Sequence, residues 1–407
     1  MQRIALAFCL LIILVSGVLA DIVVTRDTVR NFVHIRELAD GTSDSIGHLR
    51  PGDQLPHSRS VTGWHVVEMP DGSDGFVSKR WTEVLPDPVD LSQNTIIHFL
   101  DVGTGDSAII DMGDREIIID GGDSIKVLNH YVKRTGVIQD PIELVVVTHG
   151  DTDHWNGLRR LIGFEGTEDE TFSVSEFWDA GYNRDCNPAS SGGRKNYRKF
   201  IEDLKAEVPA SKFRRPLADF HFPTTVAAAP APITLGSLPG VEITLLHTDA
   251  NPTQGSCSYK INNASIVLLI EIDGFRFLFT GDANGKERNE SSPGTPGHVE
   301  EKLLALEAAH PGLLKVDVLK VPHHGSETAS TQQFIDTVNP DFAIISASEK
   351  HHLPKSTVVT RYENGQRVIL RTDATRKNDN DHILCVISPV SDTENELDCN
   401  FEDVIIQ

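Results

Sequence analysis

Cysteine is scarce in this sequence, and its spacing excludes one class of site. Only five of the 407 residues are cysteine. No two of them form a CxxC pair, which excludes a zinc knuckle built from paired thiolates. Four follow residue 20 and could form two disulfides in an oxidising compartment, with three connectivities that the sequence does not rank. We expect these four to be structural or free rather than catalytic: Cys186, Cys257, Cys385 and Cys399.

Positive charge is also scarce. The chain has 37 lysines and arginines against 59 acidic residues, a formal net charge of -22. A chain of this charge repels polyanions over its surface as a whole. Tight, nonspecific binding to nucleic acid or to an anionic membrane is therefore excluded unless a local basic patch offsets the charge.

Long apolar runs are absent after residue 20. Residues 1–20, MQRIALAFCLLIILVSGVLA, have an early arginine, an apolar middle and small residues at the end, which is typical of a secretory signal peptide. An uncleaved membrane anchor is the alternative. We expect an exported protein, periplasmic or extracellular, with at least two globular domains and no stable membrane insertion after cleavage.

Residues 22–85 consist of short β-type runs broken by glycine, aspartate and proline. The segment GWHVVEMPDGSDGFVSKRW alternates apolar and polar residues around a PDG turn, which predicts a hairpin in a small β-barrel. Together with VHIRELADGTSDSIGHLRPGD, it resembles the bacterial SH3 family. The resemblance implies an attachment module that binds cell-wall peptide or protein. A packing domain without a ligand, with Trp64 and Trp81 in its core, is the alternative.

A larger domain follows a linker at 86–94 and extends over residues 95–395. Residues 94–123, NTIIHFLDVGTGDSAIIDMGDREIIIDGGD, predict three strands rich in Ile and Val. The next run, IELVVVTHG, is almost wholly apolar, as in a strand buried on both faces. Alternation of such strands with helical segments predicts an α/β fold.

The stretch THGDTDHWNGL, residues 148–158, follows that buried strand and concentrates titratable side chains at a strand-to-helix corner. His149, Asp151, Asp153 and His154 can converge within one turn. Imidazole and carboxylate both suit hard or borderline divalent ions, so the quartet predicts a metal site. The alternative, an aspartate N-cap with solvated neighbours, explains a single aspartate but not all four residues.

Other predicted strands end in residues of the same chemical types. FRFLFTGD ends at Asp282, VDVLKVPHHGS carries His323 and His324, and FAIISASEKHHLP carries His351 and His352. Each corner alone is a weak signal, but packing does not explain their repetition at strand ends.

These motifs, LDVGTGD, IDGG, THGDTDHWNG, GD and HHGS, in this order resemble those of the metallo-β-lactamase superfamily, in particular its ComEC/Rec2-like branch. The resemblance implies a four-layered αββα sandwich with a metal site at one edge of its two sheets. It also implies one metal position at His149 and Asp151, another at Asp153, His154 and a histidine of the HHG corner, and Asp282 as the bridge between them.

At the HHG corner we favour His324 as the ligand and keep His323 as the alternate. Asp120 matches a family carboxylate that supports the site through a metal-binding histidine. The resemblance implies one or two ions, zinc or else manganese, because Asp151 stands where many family members have histidine. A further family histidine is missing at INNAS, where Asn262 or Asn263 would be its substitute.

A metal-activated water would be the nucleophile, with its pKa lowered from about 15.7 towards 7. Asp153 and Asp282 are predicted to orient it or to accept its proton. His351 or His352 is the candidate donor to the leaving group; a solvated loop pair is the alternative.

Residues of about 165–240 form a predicted insertion. Within it, GGRKNYRKF and KFRRP could follow a phosphate backbone, with Tyr197 and Phe200 interleaved, but an amphipathic helix with a solvated basic face is favoured.

The sequence therefore predicts an exported metal-dependent hydrolase that cleaves phosphodiesters, as a phosphodiesterase or nuclease. Its substrate would be a small-molecule or nucleic-acid phosphodiester. The alternatives are a hydrolase of a lactam, lactone or thioester, and a nonenzymatic cell-wall-binding protein with a structural metal site.

Overall fold

The computed structural model describes residues 22–26, 28–70, 72–85, 94–163, 171–209, 212–215, 227–290, 295–348, 351–365, 367–373, 381–391 and 394–402. The predicted signal peptide at 1–20 and nearly all of the predicted linker lie outside these residues. The chain divides into two compact units, 1–88 and 89–407.

The first unit is an all-antiparallel sheet of seven strands in the order β3-β2-β6-β5-β4-β1-β7. Its strands are β1 (Ile22–Thr25), β2 (Val33–Arg36), β3 (Ser45–Leu49), β4 (Leu55–Val61), β5 (Trp64–Glu68), β6 (Asp74–Ser78) and β7 (Thr82–Leu85). β5 and β6 form the hairpin predicted around the PDG turn. The core of the unit is small and rich in valine, and it includes Val23, Val67 and Val77. Trp81 is 41% exposed and lies outside that core, contrary to the packing expectation.

The second unit contains an eight-stranded sheet in the order β13-β12-β11-β10-β9-β8-β20-β21. Its strands are β8 (Thr95–Phe99), β9 (Ala108–Asp111), β10 (Glu116–Ile119), β11 (Leu144–Val147), β12 (Phe177–Asp179), β13 (Phe213–Arg214), β20 (Ile383–Ser391) and β21 (Glu394–Phe401). β8, β9 and β10 are the three strands predicted from the Ile- and Val-rich run. β10 pairs in parallel with β11, so both strands end at the same edge.

The second unit also contains a six-stranded sheet in the order β14-β15-β16-β17-β18-β19, which faces the eight-stranded sheet. Its strands are β14 (Val241–His247), β15 (Val267–Ile272), β16 (Phe275–Phe279), β17 (Val318–Lys320), β18 (Phe342–Ile345) and β19 (Val368–Arg371). β16, β17 and β18 are parallel neighbours, and their carboxyl ends form a second common edge.

Helices cover the outer face of each sheet. In the described residues they are α1 (Val127–Thr135), α2 (Thr152–Trp155), α3 (Leu158–Leu161), α4 (Gly192–Glu207), α5 (Cys257–Asn263), α6 (His298–Ala309), α7 (Gln332–Val338) and α8 (Ser356–Glu363).

The side chains of β10 show how the layers arise. Ile117 and Ile119 face the core shared with the second sheet, whereas Ile118 faces the core under α1 and α4. A third core lies between the six-stranded sheet and α6, α7 and α8. This alternation follows from the two-residue period of a strand and gives a helix–sheet–sheet–helix order.

Residues of about 165–240 contribute regular structure as well as loops. β12 and β13 extend the large sheet from this stretch, and α4 buries Tyr197, Phe200, Ile201 and Leu204 against the outer core. The favoured prediction of an amphipathic helix is therefore confirmed. The alternative use of Tyr197 and Phe200 as surfaces for stacking bases is wrong, because both rings are buried.

The four cysteines are paired. Cys186 is bonded to Cys257, and Cys385 is bonded to Cys399 across the β20–β21 hairpin. The first bond links the loop after β12 to the first residue of α5. Among the helices that the structure describes, none combines the length and apolar character that crossing a lipid bilayer requires.

Candidate metal centre

The predicted site residues lie at the carboxyl ends of strands from both sheets. Asp120 follows β10, and the stretch 149–154 follows β11. Asp282 follows β16, and His323 and His324 lie in the 3-10 turn Pro322–Gly325 after β17. Because each pair of strands is parallel and the two sheets face each other, these four corners meet at one end of the sandwich.

A compact group of ligand atoms forms one part of the centre. His154, His324, Asp282 and Asp106 are all buried, and one ligand atom from each lies within 4.8 Å of the others. Asp282 Oδ1 is 3.3 Å from Nε2 of His154 and 3.3 Å from Nε2 of His324. Asp153 Oδ2 lies 3.7 Å from Nε2 of His324, at the more exposed side. The structure thus brings together the residues predicted for the second position, with His324 as the histidine of the HHG corner.

Two carboxylates hold the far sides of these imidazoles. Asp120 Oδ2 lies 2.7 Å from Nδ1 of His154 and also accepts the Thr148 hydroxyl. Nδ1 of His324 donates to the Ser346 carbonyl at 3.1 Å, and Asp106 Oδ1 lies 3.0 Å from the same nitrogen as an ion-pair partner. A carboxylate at Nδ1 fixes the proton on that nitrogen and directs the Nε2 lone pair into the centre. The two Nε2 atoms are only 3.3 Å apart, so in this tautomer their lone pairs converge and favour a cation between them.

A second group of atoms lies beside the first, around the other oxygen of Asp282. Nε2 of His149 is 3.8 Å from Asp282 Oδ2 and 3.7 Å from Asp151 Oδ2. His323 Nε2 is 3.7 Å from the same Asp282 oxygen. His323 therefore does not duplicate His324. It faces the first position, next to His149 and Asp151.

Asn262 completes this second group, at the place where the family histidine is missing. Hydrogen bonding favours the amide orientation in which the nitrogen donates to Asp151 Oδ2 (3.0 Å) and the oxygen faces His323 Nε2 (3.2 Å). Asn263 points elsewhere and bonds to His298 and Asn284. The structure thus places Asn262, and not Asn263, beside the first position.

The backbone of the HHG turn is held in an unusual conformation. His323 and His324 have φ angles of 51° and 52°, in the left-handed region that L residues avoid at a cost of about 1–2 kcal/mol each. Thr328 and Asn284 anchor Nδ1 of His323, at 2.8 and 3.3 Å. The surrounding contacts maintain this strain, and it sends two adjacent imidazoles to two different groups of ligands.

The chemistry of the donors fits a divalent cation. Nε2 of His149 and Oδ1 of Asp282 are buried and make no hydrogen bond within the part of the chain that the structure describes. Buried polar atoms are normally paired, so an unpaired buried acceptor in each of the two groups fits a bound cation. The donor set of imidazole and carboxylate suits zinc and manganese.

The electrostatics of the centre agree with this fit. Burial opposes the charged form of His324, but Asp282 and Asp106 outweigh it and raise the pKa of that imidazole to about 10. Burial likewise opposes ionisation of Asp282, yet His324 and His154 hold the pKa of the carboxyl well below its usual range. The carboxylates thus make the centre attractive to positive charge.

Glycines bring the loops of the centre into close contact. A Cβ at Gly105 would lie 1.8 Å from the carbonyl oxygen of Asp153, and one at Gly157 would lie 1.9 Å from that of Gly121. Gly121 N donates to the carbonyl of His154 at 2.7 Å. These contacts press the GTGD and DGG loops against α2 and fix the positions of Asp153 and His154.

His351 and His352 are not drawn into the cluster. Both are exposed, and among the described residues no hydrogen bond or ion pair joins either of them to the ligand groups. Their loop is nevertheless attached to the HHG turn, because Lys355 N donates to the Gly325 carbonyl at 3.0 Å. His351 and His352 as the donors of a proton therefore stay a prediction.

Sequence reasoning missed three polar residues of the centre. Asp106 supports His324 and forms a buried ion pair with Lys320 at 2.8 Å. Asn284 anchors His323, and Arg184 donates to Asp151 Oδ1 at 2.7 Å. Of these three, only Asp106 was indicated by the sequence, because it is the last residue of the LDVGTGD motif.

The fold and the centre define a class of protein before any comparison. Two facing α/β sheets with a buried cluster of histidines and aspartates at their common end form the framework of a metal-binding α/β sandwich.

Comparison with known families identifies the class. Residues 100–349 match the model of the metallo-beta-lactamase superfamily. The chain therefore belongs to the metallo-β-lactamase superfamily, whose members are metal-dependent hydrolases, and to its ComEC/Rec2-like branch.

Two curated relatives support the branch. The chain is 32% identical over 114 residues to ComE operon protein 3 of Bacillus subtilis, which covers 28% of this chain and 13% of the relative. It is 24% identical over 288 residues to Recombination protein 2 of Haemophilus influenzae, 66% of this chain and 28% of the relative. The chain thus spans less than a third of either protein.

Among solved structures, the metallo-beta-lactamase fold protein YhfI of Bacillus subtilis is similar at 11% identity and a TM-score of 0.40. The match covers 69% of this chain and 98% of YhfI.

Proposed function

We propose that the protein is a metal-dependent phosphodiesterase or nuclease that uses two adjacent metal positions. The observation that carries the proposal is the division of Asp282: Oδ1 faces His154 and His324, while Oδ2 faces His149 and His323. A carboxylate shared in this way suits two ions held side by side, the arrangement of enzymes that displace an oxygen at phosphorus. Kinship with a recombination protein and a ComE operon protein supports a phosphodiester substrate.

The residues of each position follow from the distances. Asp153, His154 and His324 would hold the second ion, and Asp282 both. His149 and Asp151 would hold the first ion, and His323 would join them with its proton on Nδ1, beside Asn284 Oδ1, instead of on the Nε2 that faces the Asn262 oxygen. When bound, such ions supply Lewis acidity and an activated water at neutral pH. Zinc is our first candidate and manganese the second, because three carboxylates accompany four imidazoles.

The remaining side chains orient these ligands and handle protons. Asp120 and Asp106 keep the Nδ1 protons of His154 and His324 in place and so preserve both Nε2 lone pairs. Asp153 is 26% exposed, and it is the ligand carboxylate best placed to accept a proton from an attacking water. His351 or His352, on the exposed loop attached to the HHG turn, would donate a proton to the leaving oxygen.

We also propose that the protein works outside the cytoplasm. Residues 1–20 have the pattern of a signal peptide, and the two disulfides suit an oxidising compartment. The N-terminal unit would serve as an SH3-like attachment module. Its sequence motifs and its seven-stranded antiparallel sheet support that role.

Hydrolysis of a generic phosphodiester and of single- and double-stranded DNA by the zinc- or manganese-loaded protein tests the activity. We expect turnover that Asp282→Asn reduces at least about 100-fold, since the shared carboxylate becomes a neutral amide with a single oxygen donor. The matched control is Asp273→Asn in the β15–β16 turn, at the opposite end of β16 from Asp282, where the carboxylate accepts from the Thr95 hydroxyl.

Turnover that is unaffected by Asp282→Asn would contradict the bridging role. A fully metal-loaded protein that cleaves lactams, lactones or thioesters but no phosphodiester would contradict the substrate class. Full metal loading with no turnover of any of these substrates would favour a structural metal site.

A further inference from the structure

Arg184 carries a feature of the centre that the proposed mechanism does not use. It lies in the loop between β12 and α4, and its side chain reaches back to the ligand Asp151. Nη1 donates to Asp151 Oδ1 at 2.7 Å and to the Gly150 carbonyl at 2.8 Å. Nε donates to Asn187 Oδ1 at 3.0 Å. Only 14% of the side chain is exposed, so this is not a solvated surface ion pair.

The space around Arg184 is shaped for its guanidinium group. A Cβ at Gly193 would lie 3.2 Å from Nη2, and a Cβ at Gly150 would lie 3.0 Å from Cγ of Arg184. Arg184 itself has a φ of 58°, a left-handed conformation for a residue with a side chain. Two glycines and a strained backbone thus accommodate one cation beside one carboxylate.

A covalent bond ties this loop to the other side of the same carboxylate. Cys186, two residues after Arg184, is bonded to Cys257 at the start of α5. The end of α5 carries Asn262, whose amide contacts Asp151 Oδ2. Asp151 therefore lies between Arg184 on one oxygen and Asn262 on the other, and the disulfide joins the two segments that carry them.

The chemistry of Asp151 gives this arrangement a purpose. A carboxylate brings a negative charge and two oxygen donors, whereas a neutral imidazole brings a single donor and no charge. The guanidinium of Arg184 compensates the charge and occupies Oδ1. Oδ2 then remains as the oxygen that faces His149 Nε2 at 3.7 Å.

We infer that Arg184 is a positioning residue that makes Asp151 a single-oxygen, charge-compensated ligand of the first metal position, and that the Cys186–Cys257 disulfide holds it there. This inference rests on the proposed two-metal function. It assigns a role in the centre to the stretch around 165–240, which the family motifs do not include.

Metal content and affinity test the inference without any substrate. Zinc and manganese are titrated into the metal-free full-length protein, and bound ions per chain are counted. For the wild type we expect two ions. Arg184→Ala should weaken binding at one position about 10- to 100-fold and leave the other unchanged, as is usual when a residue that orients a ligand is removed. Arg184→Lys should weaken metal binding less, because lysine keeps the positive charge although it lacks the forked guanidinium group.

Arg194→Ala is the matched control. Arg194 pairs with Asp185 and donates to the Asn187 carbonyl, so it supports the same loop without touching a ligand. We expect two ions at wild-type affinity in this variant. Equal losses in Arg184→Ala and Arg194→Ala would reduce Arg184 to a structural residue of the loop and overturn the inference.

A double-mutant cycle with Asp151→His separates positioning from general stabilisation. With Arg184 present, the new imidazole faces an uncompensated cation, and we expect weak binding at the first position. Adding Arg184→Ala to Asp151→His should recover at least about tenfold of that affinity, whereas Arg184→Ala alone loses about 10- to 100-fold. The coupling between the two substitutions is therefore about 2.7–4.1 kcal/mol. Additive losses in the two variants would overturn the inference.

The two disulfides provide a second matched pair. Cys186→Ser with Cys257→Ser should weaken the first position, whereas Cys385→Ser with Cys399→Ser should not. A wild-type protein that binds no metal, or only one ion, would refute the proposed two-metal function and the inference with it. Two ions in the wild type and two equally tight ions in Arg184→Ala would overturn the inference and leave the proposed function intact.

Discussion

At the scale of single residues, the centre depends on which nitrogen of each histidine carries the proton. His154 and His324 each have a carboxylate at Nδ1, whereas Nδ1 of His323 lies against a hydroxyl and an amide oxygen. His154 and His324 face Oδ1 of Asp282. His323 faces Oδ2 of Asp282, on the side where Arg184 and Asn262 contact Asp151. The two positions therefore differ in charge as well as in ligands.

Replacing Asp120 tests this dependence. We expect Asp120→Asn to weaken metal binding about 10- to 100-fold, because an amide no longer fixes the Nδ1 proton of His154 as a carboxylate does. Competition with a chelator of known affinity measures the change. Thr148→Val, which removes only the hydroxyl that donates to Asp120, should have a smaller effect. Equal effects of the two substitutions would mean that the carboxylate acts on the loop and not on the histidine.

The candidate ligands could be named from the sequence, whereas most of the residues that contact them could not. His149, Asp151, Asp153 and His154 occupy one short motif, and the other predicted residues close recognisable strand ends. Arg184 and Asn284 contact ligands that are 33 and 39 positions away along the chain. Such contacts depend on how loops fold back. The sequence around a single basic or amide residue in a loop does not indicate which distant residue its side chain will contact.

At the scale of elements, tight crossings of loops determine the geometry of the centre. The GTGD loop before β9 passes so close to α2 that Gly105 leaves no room for a side chain. Gly105 also has a φ of 107°, which other residues avoid. Both constraints act on the segment that carries Asp106 and, through contact, on Asp153.

We expect Gly105→Ala to lower the free energy of unfolding by about 3 kcal/mol or more, since overpacking and the left-handed backbone add together. Gly113→Ala, in the next turn, shares the positive φ but has nothing within 4 Å of the added carbon, so it should cost about 1 kcal/mol. Urea denaturation of the metal-free variants measures both. Similar losses at the two glycines would show that the loop can move away from α2.

Elements with strong patterns were predicted correctly. The apolar runs of β8 to β11 and of β15 to β18 are long enough to identify strands and their ends. β12 and β13 were not identified, because strands of three and two residues show no periodicity of their own. Their pairing is set by the parallel neighbour β11 and the core beneath, which are tertiary effects.

At the scale of the whole molecule, the net charge of -22 opposes a polyanionic substrate. We therefore expect KM for DNA to fall as ionic strength rises from about 0.01 M to 0.15 M, where the screening length shortens from about 30 Å to 8 Å. KM for a small phosphodiester should change far less, since a small ester presents little charge. Steady-state kinetics at constant free metal concentration compares them. A KM for DNA that rises with salt would show instead that a local basic groove dominates binding.

The position of β8 in the eight-stranded sheet has a consequence for the synthesis and folding of the protein. One neighbour, β9, begins nine residues after the end of β8, at Ala108, but the other, β20, begins only at Ile383. A ribosome that adds about 5–20 residues per second needs roughly 15 to 60 s to span this interval. Throughout that time the nascent chain has an open backbone edge in what will become the middle of a sheet. A chain that ends before Ile383 keeps that edge unpaired, and we expect such a chain to self-associate through it.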